Sequence, residues 1–72
     1  MSNDFNIGDA VEWDWGSGTA KGKITERYTE KITKTIKDNE VTRKADDDEP
    51  AFLIEQDDGD EVLKSVTEIR SA

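Results

Sequence analysis

From Ala20 to Ile36 the chain alternates with a period of two. The even positions carry Ala20, Gly22, Ile24, Glu26, Tyr28, Glu30, Ile32, Lys34 and Ile36, while the odd positions Lys21, Lys23, Thr25, Arg27, Thr29, Lys31, Thr33 and Thr35 are all polar. Side chains of an extended strand point to opposite faces in turn, so this pattern builds half-buried strand. Fully extended, these residues would span about 56 Å at ~3.3 Å each. That is too long for one strand of a 72-residue chain. The strand must bend or break near Glu26–Glu30, where the apolar face is interrupted. Gly22 suits either a bulge or a close backbone approach. Ile32 and Ile36 also fit a helical i, i+4 pair, but four β-branched residues among the five from Ile32 to Ile36 favour strand.

The same period governs the rest of the chain. Ala10–Trp15 alternates, with Val11, Trp13 and Trp15 on one face, and Gly16-Ser17-Gly18 ends it. Asp38-Asn39 reads as a two-residue turn pairing Ile36 with Val41 and Lys37 with Glu40. Pro50 suits a strand start, followed by Ala51–Gln56 with Phe52 and Ile54 on one face. Asp58-Gly59 is the strongest hairpin signal in the chain, Glu61–Ser65 is the return strand, and Val66–Ile69 is a closing turn or strand. The expected fold is all-β: a small SH3-like barrel of five to six short antiparallel strands, one domain over residues 1–72.

Ile, Leu, Val and Phe total only 14 of 72 residues, and with a net charge of −8 this borders on the composition of disordered chains. The ordered placement of the apolar residues argues for folding, with residues 37–49 the least patterned. The charge is also ordered. Residues 46–61 hold nine acids and no base, so the remainder is close to neutral. Residues 21–44 hold eight bases against four acids.

The chain has no cysteine and no histidine, which removes disulfides, thiolate metal sites and the commonest general base. The start, MSNDFNIGD, has neither a basic nor an apolar leader region, and no apolar run approaches membrane-spanning length. A cytoplasmic protein without membrane attachment is the expectation. Aligning Gly59 with the glycine of a calcium loop puts Ile54, Gln56 and Asp58 at ligand positions, so that motif fails. Asp57 and Asp60 are paired carboxylates, but no nucleophile with an adjacent base accompanies them. No catalytic residue, metal site or cofactor is expected.

Certain of these residues occur together elsewhere. Phe5-x-x-Gly8-Asp9-x-Val11-x-Trp13, then Trp15-Gly16-Ser17-Gly18-Thr19-Ala20-x-Gly22, resembles the opening of the hypervirulence-associated Tudor domain family. Thr29-Glu30-Lys31, Asp48-x-Pro50-Ala51, Asp57–Asp60, Val62–Ser65 and Glu68-Ile69 continue the resemblance in order over nearly the whole chain. It implies a Tudor- or SH3-like barrel and supplies no established activity.

Two binding surfaces follow. Trp13 and Phe52 belong to the core. Trp15, at a strand end beside Gly16 and Gly18, is an exposed aromatic candidate for ligand contact, with Tyr28 as its companion. Tudor-like domains often hold methylated lysine or arginine in an aromatic cage, but the five aromatics here are too few to spare for a complete one. The alternative surface is the basic strand face of Lys21, Lys23, Arg27 and Lys31, suited to phosphates or to an acidic protein patch. Its blander role is cross-strand pairing with glutamates. The odd positions carry threonines rather than the aromatics that single-strand binders interleave, and the net charge opposes nucleic acid. The leading expectation is a non-enzymatic module for a protein partner of open identity. Weak nucleic-acid binding stands second and self-association third, and the oligomeric state stays open.

Overall fold

The computed structural model describes residues 5–72; the reading of a leaderless start falls partly on residues 1–4, outside that range. The described residues form seven strands: β1 Ala10–Trp15, β2 Gly18–Tyr28, β3 Ile32–Ile36, β4 Asn39–Arg43, β5 Ala51–Gln56, β6 Glu61–Ser65 and β7 Arg70–Ser71, with a 3-10 turn at Val66–Glu68. The long alternating run breaks between Tyr28 and Ile32, as its length required. Five strands make one antiparallel sheet in the order β6-β5-β2-β1-β7, and β3 and β4 make a separate two-stranded hairpin.

The expected five to six strands are corrected to seven. The closing piece resolves into the 3-10 turn followed by β7, which returns to β1 through Val11↔Ser71 and Glu12↔Arg70. β7 carries no apolar side chain, so the pattern of the sequence could not announce it. Barrel closure is not completed by a ladder: β6 and β7 are the two edges of the large sheet, joined through the 3-10 turn. Ser65 and Glu68 close that turn as a capping box, with the Ser65 side chain accepting from Thr67 N and the Ser65 N–H donating to Glu68 Oε1 at 2.8 Å.

The turns follow from their residues. Trp15 pairs with Gly18 across Gly16-Ser17, and Gly16 supplies the positive φ of +54°. The β5–β6 turn is Asp57–Asp60, with Gly59 at φ +89° and a Gln56 N–H···O=C Asp60 bond of 2.7 Å closing it. The β3–β4 turn departs from expectation. Its central residues are Lys37 and Asp38, at φ +51° and +67°, so Ile36 pairs with Asn39 and Lys34 with Val41. The register differs by two residues from the expected one, which leaves every side chain on its expected face.

β2 carries the decisive irregularity. Ile24 pairs with Ile54, but Glu26 pairs with Leu53, leaving Thr25 as the extra residue of a β-bulge whose hydroxyl donates to Leu53 O. Gly22 is not the bulge. It is the close approach: a Cβ there would lie 2.6 Å from both Glu55 O and Ile54 Cγ2.

One face of the large sheet holds the core of Val11, Trp13, Ile24, Phe52, Ile54 and Val66, with Phe5 edge-on to Phe52 at 5.9 Å between ring centroids. β5 is buried on both faces, from Ala51 to Ile54. Leu53 pairs with the buried Leu63 on the second face, and the β3–β4 hairpin lies against β6. Along that hairpin Ile32, Lys34, Ile36, Val41 and Arg43 are half-buried, whereas Thr33, Thr35 and Thr42 are exposed.

Candidate functional site: a tryptophan lip beside an acidic turn

Trp13 and Trp15 share one face of β1 but have different fates. Trp13 is 3% exposed and closes the core; Trp15, beyond its end, is 66% exposed. Between them and β6 opens a shallow depression of about 430 Å³. Trp13, Trp15, Ala20 and Val62 supply its apolar surface, and Asp58, Asp60 and Lys64 its charged rim.

The rim is electrostatically asymmetric. Asp58 and Asp60 belong to the β5–β6 turn, where the Asp60 N–H donates to Asp58 Oδ1 at 2.9 Å. Asp60 Oδ2 in turn accepts from Lys37 Nζ at 2.6 Å, a contact made from the tip of the β3–β4 hairpin. The hydrogen bond to Asp60, its charge and that of Asp58 hold the Lys37 ammonium above its ordinary pKa. Lys64 lies 3.8 Å from Glu68.

The other sequence candidates are dispersed. Gly16 and Gly18 flank the turn that presents Trp15, and neither lines the depression. Tyr28 stands at the opposite end of the 11-residue β2 from Gly18, so the two aromatics do not converge. The Tyr28 ring already meets a cation of this chain, Lys34 Nζ, 5.3 Å from its centroid. A separate hollow runs past Tyr28, Arg27 and Lys31.

The single basic face of Lys21, Lys23, Arg27 and Lys31 is corrected. The bulge at Thr25 shifts the register, so Lys23 lies opposite Glu55 and Arg27 opposite Phe52, whose side chains occupy opposite faces of β5. Lys21 and Lys23 therefore share one face, Arg27 sits on the other, and Lys31 belongs to the β2–β3 connection. All four are exposed, and none forms an ion pair with another described residue.

Sequence reasoning did not find the long-range charge contacts. Arg43 bridges to Glu68 at 2.8 Å, and Arg70 reaches both Glu12 at 2.8 Å and Asp14 at 3.0 Å. Hydrogen bonds to Asp14 and then Glu12 hold the Arg70 guanidinium above its ordinary value. For Glu68, burial pushes the carboxyl up, but Arg43, the Ser65 N–H and Lys64 together outweigh it and leave the group below its usual range. The Ser65-x-x-Glu68 spacing was a readable capping-box signal; the partners of Arg43 and Arg70 had no local signal. Among the described residues no group of three or more acids could hold a metal ion, and no helix is long and apolar enough to cross a membrane.

Comparison with curated proteins and with solved structures found no match. The family described as "Hypervirulence associated proteins TUDOR domain" matches residues 8–69, from the turn before β1 to the residue before β7. That span covers four strands of the large sheet, β1, β2, β5 and β6, and the β3–β4 hairpin, and the chain belongs to this family.

Proposed function

We propose that this chain is a non-enzymatic protein-binding module that works from the cytoplasm, a Tudor-like curled sheet with its recognition surface at the Trp15 depression. One observation carries the reading. A large aromatic left 66% exposed beside an apolar hollow costs solvation unless something covers it in use. Tryptophan is also the residue type most often found at the energetic centre of protein interfaces. The shallow site suits a side chain or short segment better than a substrate that must be sealed from water.

The test is a pull-down from cell lysate, with and without nuclease, using wild-type and Trp15→Ala baits. Nuclease-resistant capture that is lost in Trp15→Ala supports the module. Capture unaffected by Trp15→Ala removes the site. The second reading is weak nucleic-acid binding through Lys21 and Lys23, which share a face without internal ion pairs. It predicts nuclease-sensitive capture that falls steeply with salt and disappears on charge reversal of both lysines. The division of the basic residues by the bulge makes this the weaker reading.

A further inference from the structure

We propose that the β3–β4 hairpin is a strap that opens as one unit while the large sheet stays folded, and that three ion pairs hold it closed over a second apolar surface. The inference goes beyond the protein-binding reading and does not depend on it.

The hairpin is separable by its construction. Its ladder is its own, and neither of its strands joins the large sheet. None of its residues is fully buried, and none belongs to the core cluster around Trp13 and Phe52. Detaching it leaves that cluster intact. What it covers is the other face of the sheet. The bulge at Thr25 puts Glu26 on that face opposite Leu53, and Leu53 pairs there with Leu63. Leu53 is 6% exposed and Leu63 2%, yet neither belongs to the Trp13 cluster. The hairpin lies against β6, which carries Leu63, with Ile32, Ile36 and Val41 half-buried along it. Lys34, of the same alternation as Ile32 and Ile36, reaches Glu26, so this side of the hairpin is turned to the Leu53 face. Elements with little buried apolar contact are the ones that open below the free energy of global unfolding.

Charge fastens the strap at three points. Lys34 Nζ lies 3.4 Å from Glu26 Oε1 on β2, Lys37 Nζ 2.6 Å from Asp60 Oδ2 at the β5–β6 turn, and Arg43 Nε 2.8 Å from Glu68 Oε1 in the 3-10 turn. These pairs tie the middle, the tip and the open end of the hairpin to three different parts of the molecule. All six side chains are partly in water, so each pair is weak alone and screened by salt. Residues 29–31 and 44–50 connect the strap to β2 and β5 outside every ladder. Opening therefore breaks the three pairs and no ladder bond of the large sheet. It uncovers Leu53 and Leu63, a surface on the side of the sheet away from the Trp13 core.

Native-state amide exchange of the full chain, read by NMR in sub-denaturing urea at low and at high salt, tests the strap. The hydrogen-bonded amides of β3 and β4 should share one opening free energy and one urea slope. Their protection should fall roughly tenfold or more below that of Val11, Ile24 and Ile54. Their slope should be smaller than that of global unfolding but not zero, because opening exposes Leu53 and Leu63. Raising salt from about 0.01 M to about 0.5 M should lower strap protection about three- to tenfold. Protection in the large sheet should hold or rise, since the same salt relieves the self-repulsion of a chain of net charge −8. Asp60→Asn and Arg43→Gln should each lower strap protection about two- to fivefold, the worth of one exposed pair, and leave Val11, Ile24 and Ile54 within about twofold. A thermal melt of each variant verifies that the fold persists. Strap amides that exchange with the free energy and slope of Ile24 and Ile54 overturn the proposal, because the hairpin then opens only with the whole. Strap amides that each exchange separately, with no urea slope, also overturn it, because that is fraying. A collective opening indifferent to salt and to both substitutions overturns it as well, because the ion pairs then hold nothing closed.

Discussion

Gly22 shows how much one absent methyl group can decide. β2 and β5 approach so closely there that a Cβ would press on the Glu55 carbonyl and the Ile54 side chain, both at 2.6 Å. The carbonyl is backbone and cannot swing away. Gly22→Ala should therefore cost about 1–3 kcal/mol by overpacking, measured as a lower urea midpoint with an unchanged slope. Trp15 is the opposite case. Its ring is mostly in water, so Trp15→Ala should change stability by less than about 0.5 kcal/mol while removing binding, a separation that a thermal melt beside the pull-down will register. The sequence distinguished these two tryptophans correctly. Trp13 lies within the alternating apolar run, and Trp15 lies at its end against a glycine turn. What it could not show is that Tyr28 would be turned to Lys34 at the far end of β2.

Among the elements, the turns were legible by position and less so by register. The β3–β4 turn places Lys37 and Asp38 at positive φ, although Asp38-Asn39 is the better turn pair by composition. In the observed register Lys37 at the tip meets Asp60, and Thr33 and Thr42 share a 2.9 Å hydroxyl contact within the hairpin. Asp38 at φ +67° carries conformational cost. Asp38→Gly should stabilise the fold by about 0.5 kcal/mol, the left-handed penalty less the entropy glycine adds to the unfolded chain; a denaturant melt will show whether the sign is right. The 3-10 turn offers a pH prediction. Glu68 titrates below its ordinary value of 4.5 in the folded chain. The stability it contributes is therefore present above that value and fades as pH falls through the lower, folded pKa. Glu68→Gln should flatten this part of the acid branch, read as melting temperature against pH between the two.

For the whole molecule, margin is the governing fact. A chain of 72 residues has roughly 4–10 kcal/mol of stability at about 0.05–0.15 kcal/mol per residue. Phe52 is fully buried between Phe5 and the core of the large sheet. Phe52→Ala should remove about 3–5 kcal/mol, enough to leave a substantial unfolded fraction at 37 °C, visible as lost amide dispersion and a broadened melt. The charge pattern is likewise a property of the whole. The 46–61 segment is acidic in sequence, yet in space its carboxylates divide between an exposed loop, where Asp46 accepts from the Asp48 and Glu49 N–H groups, and the rim beside Trp15.

Local pattern determined the strands of this protein, because a period of two fixes which side chains share a face wherever a strand stays regular. It therefore placed β1, β5 and β6 at their observed bounds, broke the long run near Glu26–Glu30, just ahead of or at the observed break between Tyr28 and Ile32, and put Trp13 and Phe52 in the core. The tertiary structure decided whatever depends on a partner distant in sequence. The extra residue at Thr25 turns Arg27 to the face opposite Lys21 and Lys23, and no alternation can forecast a bulge that arises from pairing with Leu53. β7 is held by backbone bonds to β1 rather than by apolar side chains. The acidic rim reaches Trp15 because the hairpin of β5 and β6 brings residues more than forty positions apart to one depression, a proximity that sequence spacing does not contain.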